Sequence, residues 1–237
     1  MNEKMKGIVT VFVDIDDTLW WFTENSKLAL RHTFDAFDIS SVCTYERFKE
    51  VYLKKNLELW NLYHHGLIDK DFLVNERFRF TLKECGYKGD VEKMCHLLDE
   101  EYLRFLALQP TTIPGARQLL EYLVAKGYDV NTLSNGFQGT QQQKLISGGL
   151  SDLIHRNVLS DDCGITKPQR GIFDYALEQC GAEAATSVMI GDNPDADIKG
   201  AHDAGWRTIY FNIRGLEPIE GTADAVVTSL DEILQIL

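Results

Sequence analysis

From Pro110 onward this chain of 237 residues alternates short apolar runs with amphipathic stretches, and few folds accept that rhythm. The pattern predicts a helix over 115–126 closed at Gly127, a strand over 128–133, a helix over 138–147 closed at Gly148-Gly149, and a strand near 156–160. A helix over 171–180 closed at Gly181, a strand over 186–191, a helix over 195–204 and a strand over 207–211 follow. Glycine takes the left-handed conformation that ends a helix, and strand–helix alternation means crossover connections and a parallel sheet. Residues 7–13, Gly-Ile-Val-Thr-Val-Phe-Val, are apolar and β-branched and stop at acids, as a strand buried on both faces does. The expected core is therefore a doubly wound α/β sheet with Asp14 at the carboxyl end of its first strand.

Between these parts the spacing changes. Segments 24–37, 44–64, 69–85 and 90–107 carry apolar residues three and four apart with no strand-like alternation, which predicts an all-helical insertion. Pro110-Thr111-Thr112-Ile113-Pro114-Gly115 breaks the helical pattern and marks re-entry into the sheet domain. The expected division is a core of 1–19 and 110–237 and an inserted domain of 20–109.

Composition narrows the partners. A net charge of −12 without a basic run disfavours a nucleic-acid partner. Five scattered cysteines, odd in number and lacking C-x-x-C spacing, argue against a disulfide framework or zinc site and predict reduced, buried thiols. Met1–Lys6 is polar and the apolar run after it is short, so neither a signal peptide nor a membrane span is expected, and the location expected is cytoplasmic. No repeat or heptad seam is visible, and the assembly expected is a monomer or homodimer.

In doubly wound sheets ligands bind beyond the carboxyl ends of the strands. Four such ends carry polar clusters: Asp14-Ile15-Asp16-Asp17-Thr18, Ser134-Asn135-Gly136, Lys167-Pro168 and Gly191-Asp192-Asn193-Pro194-Asp195-Ala196-Asp197. Taken singly, each reads as a turn or helix cap. Taken together, at four strand ends in one crevice, they describe a site.

In this order the four clusters resemble the motifs of the haloacid dehalogenase superfamily, over essentially the whole chain, with 20–109 similar to the helical cap of that family. The resemblance implies a Rossmann-like core and a Mg²⁺-dependent phosphatase acting on a small phosphorylated metabolite. It implies Asp14 as covalent nucleophile, and as metal ligands the Asp14 and Asp192 side chains with the Asp16 carbonyl. Asp197 is implied to support the metal's waters or pair with Lys167. Two residues along an extended strand return to the same face, which places Asp16 to exchange a proton with the leaving oxygen and the attacking water. Ser134 and the Asn135 amide are implied to bind phosphate oxygens, Lys167 to add positive charge there, and Thr18 to orient the loop near Asp16. The substrate is expected to enter between the two domains, with hinges near 20–23 and 108–114.

Ser134-Asn135-Gly136-Phe137 followed by Gln141-Gln142-Gln143-Lys144-Leu145, together with 191–201, resembles the pyrimidine 5′-nucleotidase subgroup. Trp20-Trp21-Phe22 either stacks a base or packs a hinge. Trp60, Tyr63, His64 and His65 read as helix packing rather than a metal site. Three rivals stand beside the nucleotidase: a sugar-phosphate phosphatase or mutase using the same nucleophile, a haloacid dehalogenase, and a non-enzymatic phosphate-accepting receiver. Asp16 and Asp192 speak against the dehalogenase, because a halide leaving group needs no proton donor. The helical insertion speaks against the receiver.

Overall fold

The computed structural model describes residues 4–237. Its strands are β1 (Thr10–Val13), β2 (Asp129–Ser134), β3 (Arg156–Leu159), β4 (Ser187–Gly191), β5 (Arg207–Phe211) and β6 (Ala225–Val227). The α-helices, in chain order, are α1 (Phe22–Ala36), α2 (Tyr45–His64), α3 (Lys70–Glu84), α4 (Val91–Ala107), α5 (Ala116–Ala125), α6 (Gln138–Ser147), α7 (Ser160–Cys163), α8 (Arg170–Cys180) and α9 (Gly200–Asp203). Two compact units result: Met1–Phe22 with Pro110–Leu237, and Thr23–Gln109. The first boundary falls at 22/23, where the sequence pattern had suggested 19/20.

All strand pairings in the first unit are parallel, in the order β3-β2-β1-β4-β5-β6. This is a doubly wound sheet whose direction of winding reverses around β1, the position where such folds open a binding crevice. Every residue of β1 is buried, as the β-branched run requires. On one face Phe12, Leu133, Val158 and Met189 meet Ile172, Phe173 and Ala176 of α8, with Trp206 closing the cluster 4.6 Å from Phe12 and 5.4 Å from Phe173. Burying side chains of this size contributes roughly 1.5–3 kcal/mol each.

Several local expectations change. Sheet pairing begins at Thr10 rather than residue 7. The helix expected over 195–204 is a π-helix, Pro194–Lys199, followed by the single turn α9. β6 and the terminal 3₁₀ turn Leu230–Gln235 were not read from the sequence, although Ser229 and Glu232 form a reciprocal cap at that turn. The cysteines are free thiols, but only Cys95 is fully buried, the other four being half-buried.

The second unit is helical throughout. Thr44, Asp69 and Asp90 cap α2, α3 and α4 by accepting hydrogen bonds from Arg47 N, Phe72 N and Lys93 N at 3.3, 2.8 and 3.1 Å. Tyr52, Phe78 and Tyr102 form its aromatic centre, with ring separations of 4.7–5.7 Å. Beside them lies a buried ion pair, Arg77 Nε to Asp99 Oδ1 at 2.6 Å. The stripe of Trp60, Tyr63 and His64 is not core, contrary to the packing expectation: its rings touch one another but stay half-buried. No helix among the described residues is long and apolar enough to cross a membrane.

Candidate active site

Asp14 leaves β1 with its amide donating to Ile190 O of β4 at 2.9 Å, which fixes the carboxylate between two strand ends. The chain then turns tightly. Asp17 takes a left-handed conformation (φ 58°), its amide donates to Trp20 O, and Trp20 N donates back to Ile15 O, both at 2.8 Å. Aspartate tolerates this conformation better than most residues. The turn sends Asp14 and Asp16 to different partners.

Asp14 faces Lys167. The buried ammonium spends its three hydrogens on Asp14 Oδ1, Asp197 Oδ1 and Leu133 O, each at 2.7 Å. In this state Lys167 offers neighbouring groups its charge rather than a free hydrogen. Its backbone is held by Asn135, whose Nδ2 donates to Lys167 O at 2.9 Å and whose Oδ1 accepts from Lys167 N at 2.8 Å. This reciprocal clamp is a role for the Asn135 side chain that its motif did not suggest.

Asp197 reaches the site through the π-helix, whose wider turn carries one more residue than an α-turn. Asn193 organises it, accepting from Asp195 N and Ala196 N, while Asn193 N donates to Asp197 Oδ2 at 3.0 Å. Gly191 makes room: a methyl group there would overlap the Asp197 carboxylate. Gly191→Ala is therefore expected to displace Asp197 from Lys167 and lower kcat by about 10- to 100-fold with folding retained. Steady-state kinetics beside a circular dichroism spectrum check this, and unchanged kcat would show that the Asp197 placement is dispensable.

Asp14, Asp192 and Asp197 bring carboxylate oxygens within 4.8 Å of one another, all buried. Burial pushes the Asp14 carboxyl up to about 7, with Asp197 adding to the rise and Lys167 opposing it. Burial likewise holds Asp192 well above the usual carboxylate range, against the pull of Arg214. Arg214 Nη2 donates to Asp192 O at 3.2 Å and lies 2.7 Å from Asp192 Oδ2 without hydrogen-bond alignment, leaving that buried oxygen unsatisfied. Arg214 lies outside the four strand-end clusters that the sequence shows. Three buried acids against Lys167 and Arg214 leave net negative charge on hard oxygen donors, which fits a small divalent cation such as Mg²⁺ and not a thiolate-seeking metal.

Asp16 stands apart. Its carboxylate receives Lys144 Nζ at 2.7 and 2.9 Å and Gln141 Nε2 at 3.0 Å, both from α6. Gln141 Nε2 also donates to Ser134 Oγ at 2.7 Å. The Thr18 hydroxyl points to Asp192 Oδ1 at 3.5 Å, not to Asp16 as the sequence had suggested. Trp20 is fully buried with Lys144 over its ring at 4.9 Å, so of the two roles considered for it, packing is the one the structure supports.

With this arrangement in view, residues 8–205 match the sequence profile of the haloacid dehalogenase-like hydrolases. The chain belongs to that family. It is 34% identical to HAD-hydrolase YfnB of Bacillus subtilis, over 88% of this chain and 86% of that protein. Pyrimidine 5′-nucleotidase YjjG of Escherichia coli is also 34% identical, over 96% of both chains. Glyceraldehyde 3-phosphate phosphatase of Pyrococcus furiosus is 28% identical, over 98% of this chain and 94% of its own. The solved structure of YfnB bound to magnesium matches with a TM-score of 0.86 at 31% identity, covering 98% of this chain and 99% of that one. For a haloacid dehalogenase-like hydrolase with relatives of this kind, phosphoric monoester hydrolysis is the activity class.

Proposed function

We propose that this enzyme is a Mg²⁺-dependent phosphomonoester hydrolase that works through an aspartyl-phosphate on Asp14, with nucleoside 5′-monophosphates as its substrates. The observation that carries the chemistry is the separation of two aspartates two residues apart. Asp14 is buried against Lys167 and the acidic cluster, whereas Asp16, its side chain 31% exposed, is turned toward α6. This difference supports the reading in which Asp14 attacks and Asp16 exchanges protons with groups entering from solvent.

In the proposed first step an Asp14 carboxylate oxygen forms a bond to phosphorus. The ester P–O bond breaks, its electron pair goes to the leaving oxygen, and Asp16 gives that oxygen a proton. In the second step Asp16 takes a proton from water, the water oxygen bonds to phosphorus, and the bond to Asp14 breaks to release phosphate. Ser134 and the Asn135 backbone amide bind the non-bridging oxygens, and Lys167 offsets the charge of Asp14 and Asp197. The Asp14 and Asp192 side chains and the Asp16 carbonyl would hold Mg²⁺, with Asp197 supporting it, and the ion would supply the neutralisation a carboxylate needs to approach an anionic phosphoryl group.

The nucleotide preference rests on likeness to YjjG over nearly the full length of both chains. Sugar phosphates are the second reading, favoured by the likeness to glyceraldehyde 3-phosphate phosphatase. Phosphate release from nucleoside monophosphates, sugar phosphates and 4-nitrophenyl phosphate, with Mg²⁺ and with EDTA, tests both. Release that EDTA abolishes and that favours pyrimidine monophosphates is expected. Preference for sugar phosphates would discard the nucleotide assignment, and release unaffected by EDTA would discard the metal.

A further inference from the structure

α6 begins two residues after the Ser134-Asn135-Gly136 turn, and its Gln141 and Lys144 lie three residues apart, on one helix face. Both side chains are buried, which is unusual for a lysine and needs a counter-charge. Lys144 finds it in Asp16, with Nζ bonded to both carboxylate oxygens. Two aromatic rings flank it as well: the ammonium lies 4.9 Å from the Trp20 ring centroid and 5.3 Å from that of Phe22. Gln141 spends one amide hydrogen on Asp16 Oδ2 and the other on Ser134 Oγ.

A carboxylate on a tight turn, 31% exposed, has water beside it that could take over its hydrogen bonds in other orientations. A buried lysine with one carboxylate as its charge partner removes that freedom, because any swing of Asp16 away from α6 strands an ammonium in an apolar pocket. From this we infer that Lys144, assisted by Gln141, is a positioning residue: it holds the Asp16 carboxylate at the orientation from which it exchanges a proton with the leaving oxygen. The two halves of the site then each have their own lysine, Lys167 for the nucleophile and Lys144 for the proton-exchanging acid. The aromatic wall of Trp20 and Phe22 keeps Lys144 from finding water instead.

The inference rests on the acid/base reading of Asp16, and the test separates the two. Lys144→Met keeps the length and apolar contacts of the side chain and leaves Asp16 open to solvent, so the fold should persist. Lys144→Gln, neutral but still a donor, replaces it if the methionine variant does not fold. Each is assayed on the best alkyl phosphate from the substrate panel and on 4-nitrophenyl phosphate, whose leaving group departs without a proton. Positioning of the acid predicts a kcat about 30-fold lower on the alkyl ester, no more than about threefold lower on the aryl ester, and KM within about twofold on both. In an Asp16→Asn background Lys144→Met should cost less than about a further twofold. If Asp16→Asn alone keeps wild-type turnover, the acid/base reading falls and the inference with it. If Asp16→Asn is slow but Lys144→Met loses both esters equally, or loses activity again in that background, only the positioning role falls.

Discussion

Asp14→Asn is expected to lower kcat by at least about 10³-fold, because an amide oxygen neither attacks phosphorus nor leaves it as a carboxylate does. The substitution is nearly isosteric, and Lys167 keeps Asp197 Oδ1 and Leu133 O as acceptors, so the loss should not come from unfolding. Stability offers a separate check. The folded Asp14 carboxyl is raised to about 7 from an ordinary 3.8, chiefly by burial, so in metal-free protein the native state holds a proton that the unfolded chain releases. Such a group costs stability progressively as pH rises from about 4 to 7, and the cost persists above that. Asparagine carries no such cost, and metal-free Asp14→Asn should melt at or above the wild-type temperature at pH 8. Retention of a tenth of the wild-type kcat would remove Asp14 as the nucleophile.

Arg77→Met should produce the largest loss of stability. It leaves Asp99 buried beside Tyr52 and Tyr102 without its cation, and breaking one side of a buried pair costs about 3–5 kcal/mol. For a chain of this size that is a fall in Tm of roughly 6–20 °C. The pH dependence carries the diagnosis. Burial already raises the Asp99 carboxyl against the pull of Arg77, and without the arginine it rises further. A raised carboxyl favours the folded state at acid pH and weighs against it as pH increases, so the deficit should be larger at pH 8 than at pH 5. Arg77→Met with Asp99→Leu should recover most of the loss. A single variant melting within 2 °C of wild type at pH 8 would mean that the pair contributes nothing.

These two residues mark the limits of what was legible in the sequence. Asp14 was readable because its environment is local: a β-branched run must be a strand, and a strand must end beside its neighbours in the sheet. The other three strand ends were readable for the same reason. Arg77 and Asp99 were not, since on separate helical patterns each resembles an ordinary solvated charge, and only packing of α3 against α4 brings them together. Gln141 and Lys144 stood out in the sequence only through a family resemblance, and their contact with Asp16 was hidden; a polar pair three residues apart on a helix most often faces water, and Asp16 is more than 120 residues away. Asp197 was visible as a residue, but the π-turn that aims it leaves no periodic trace. β6, at three residues, is too short to show alternation.

The chain leaves the sheet unit and returns to it through one small clasp. Trp20 pairs with Thr112 in an antiparallel bridge, Trp21 N donates to Thr111 O at 3.1 Å, and Ile113 N donates to Leu19 O at 2.9 Å. Exit and entry points are thus neighbours before any helix is added, and whatever is inserted there closes a loop whose ends are already tied. Loop-closure entropy rises only with the logarithm of length, so doubling such an insert costs about 0.6 kcal/mol. Selection can therefore lengthen, shorten or exchange the segment between Phe22 and Pro110 without disturbing the register of β1. The strand that ends at Asp14 and the helices inserted after it can in this way change independently within one gene.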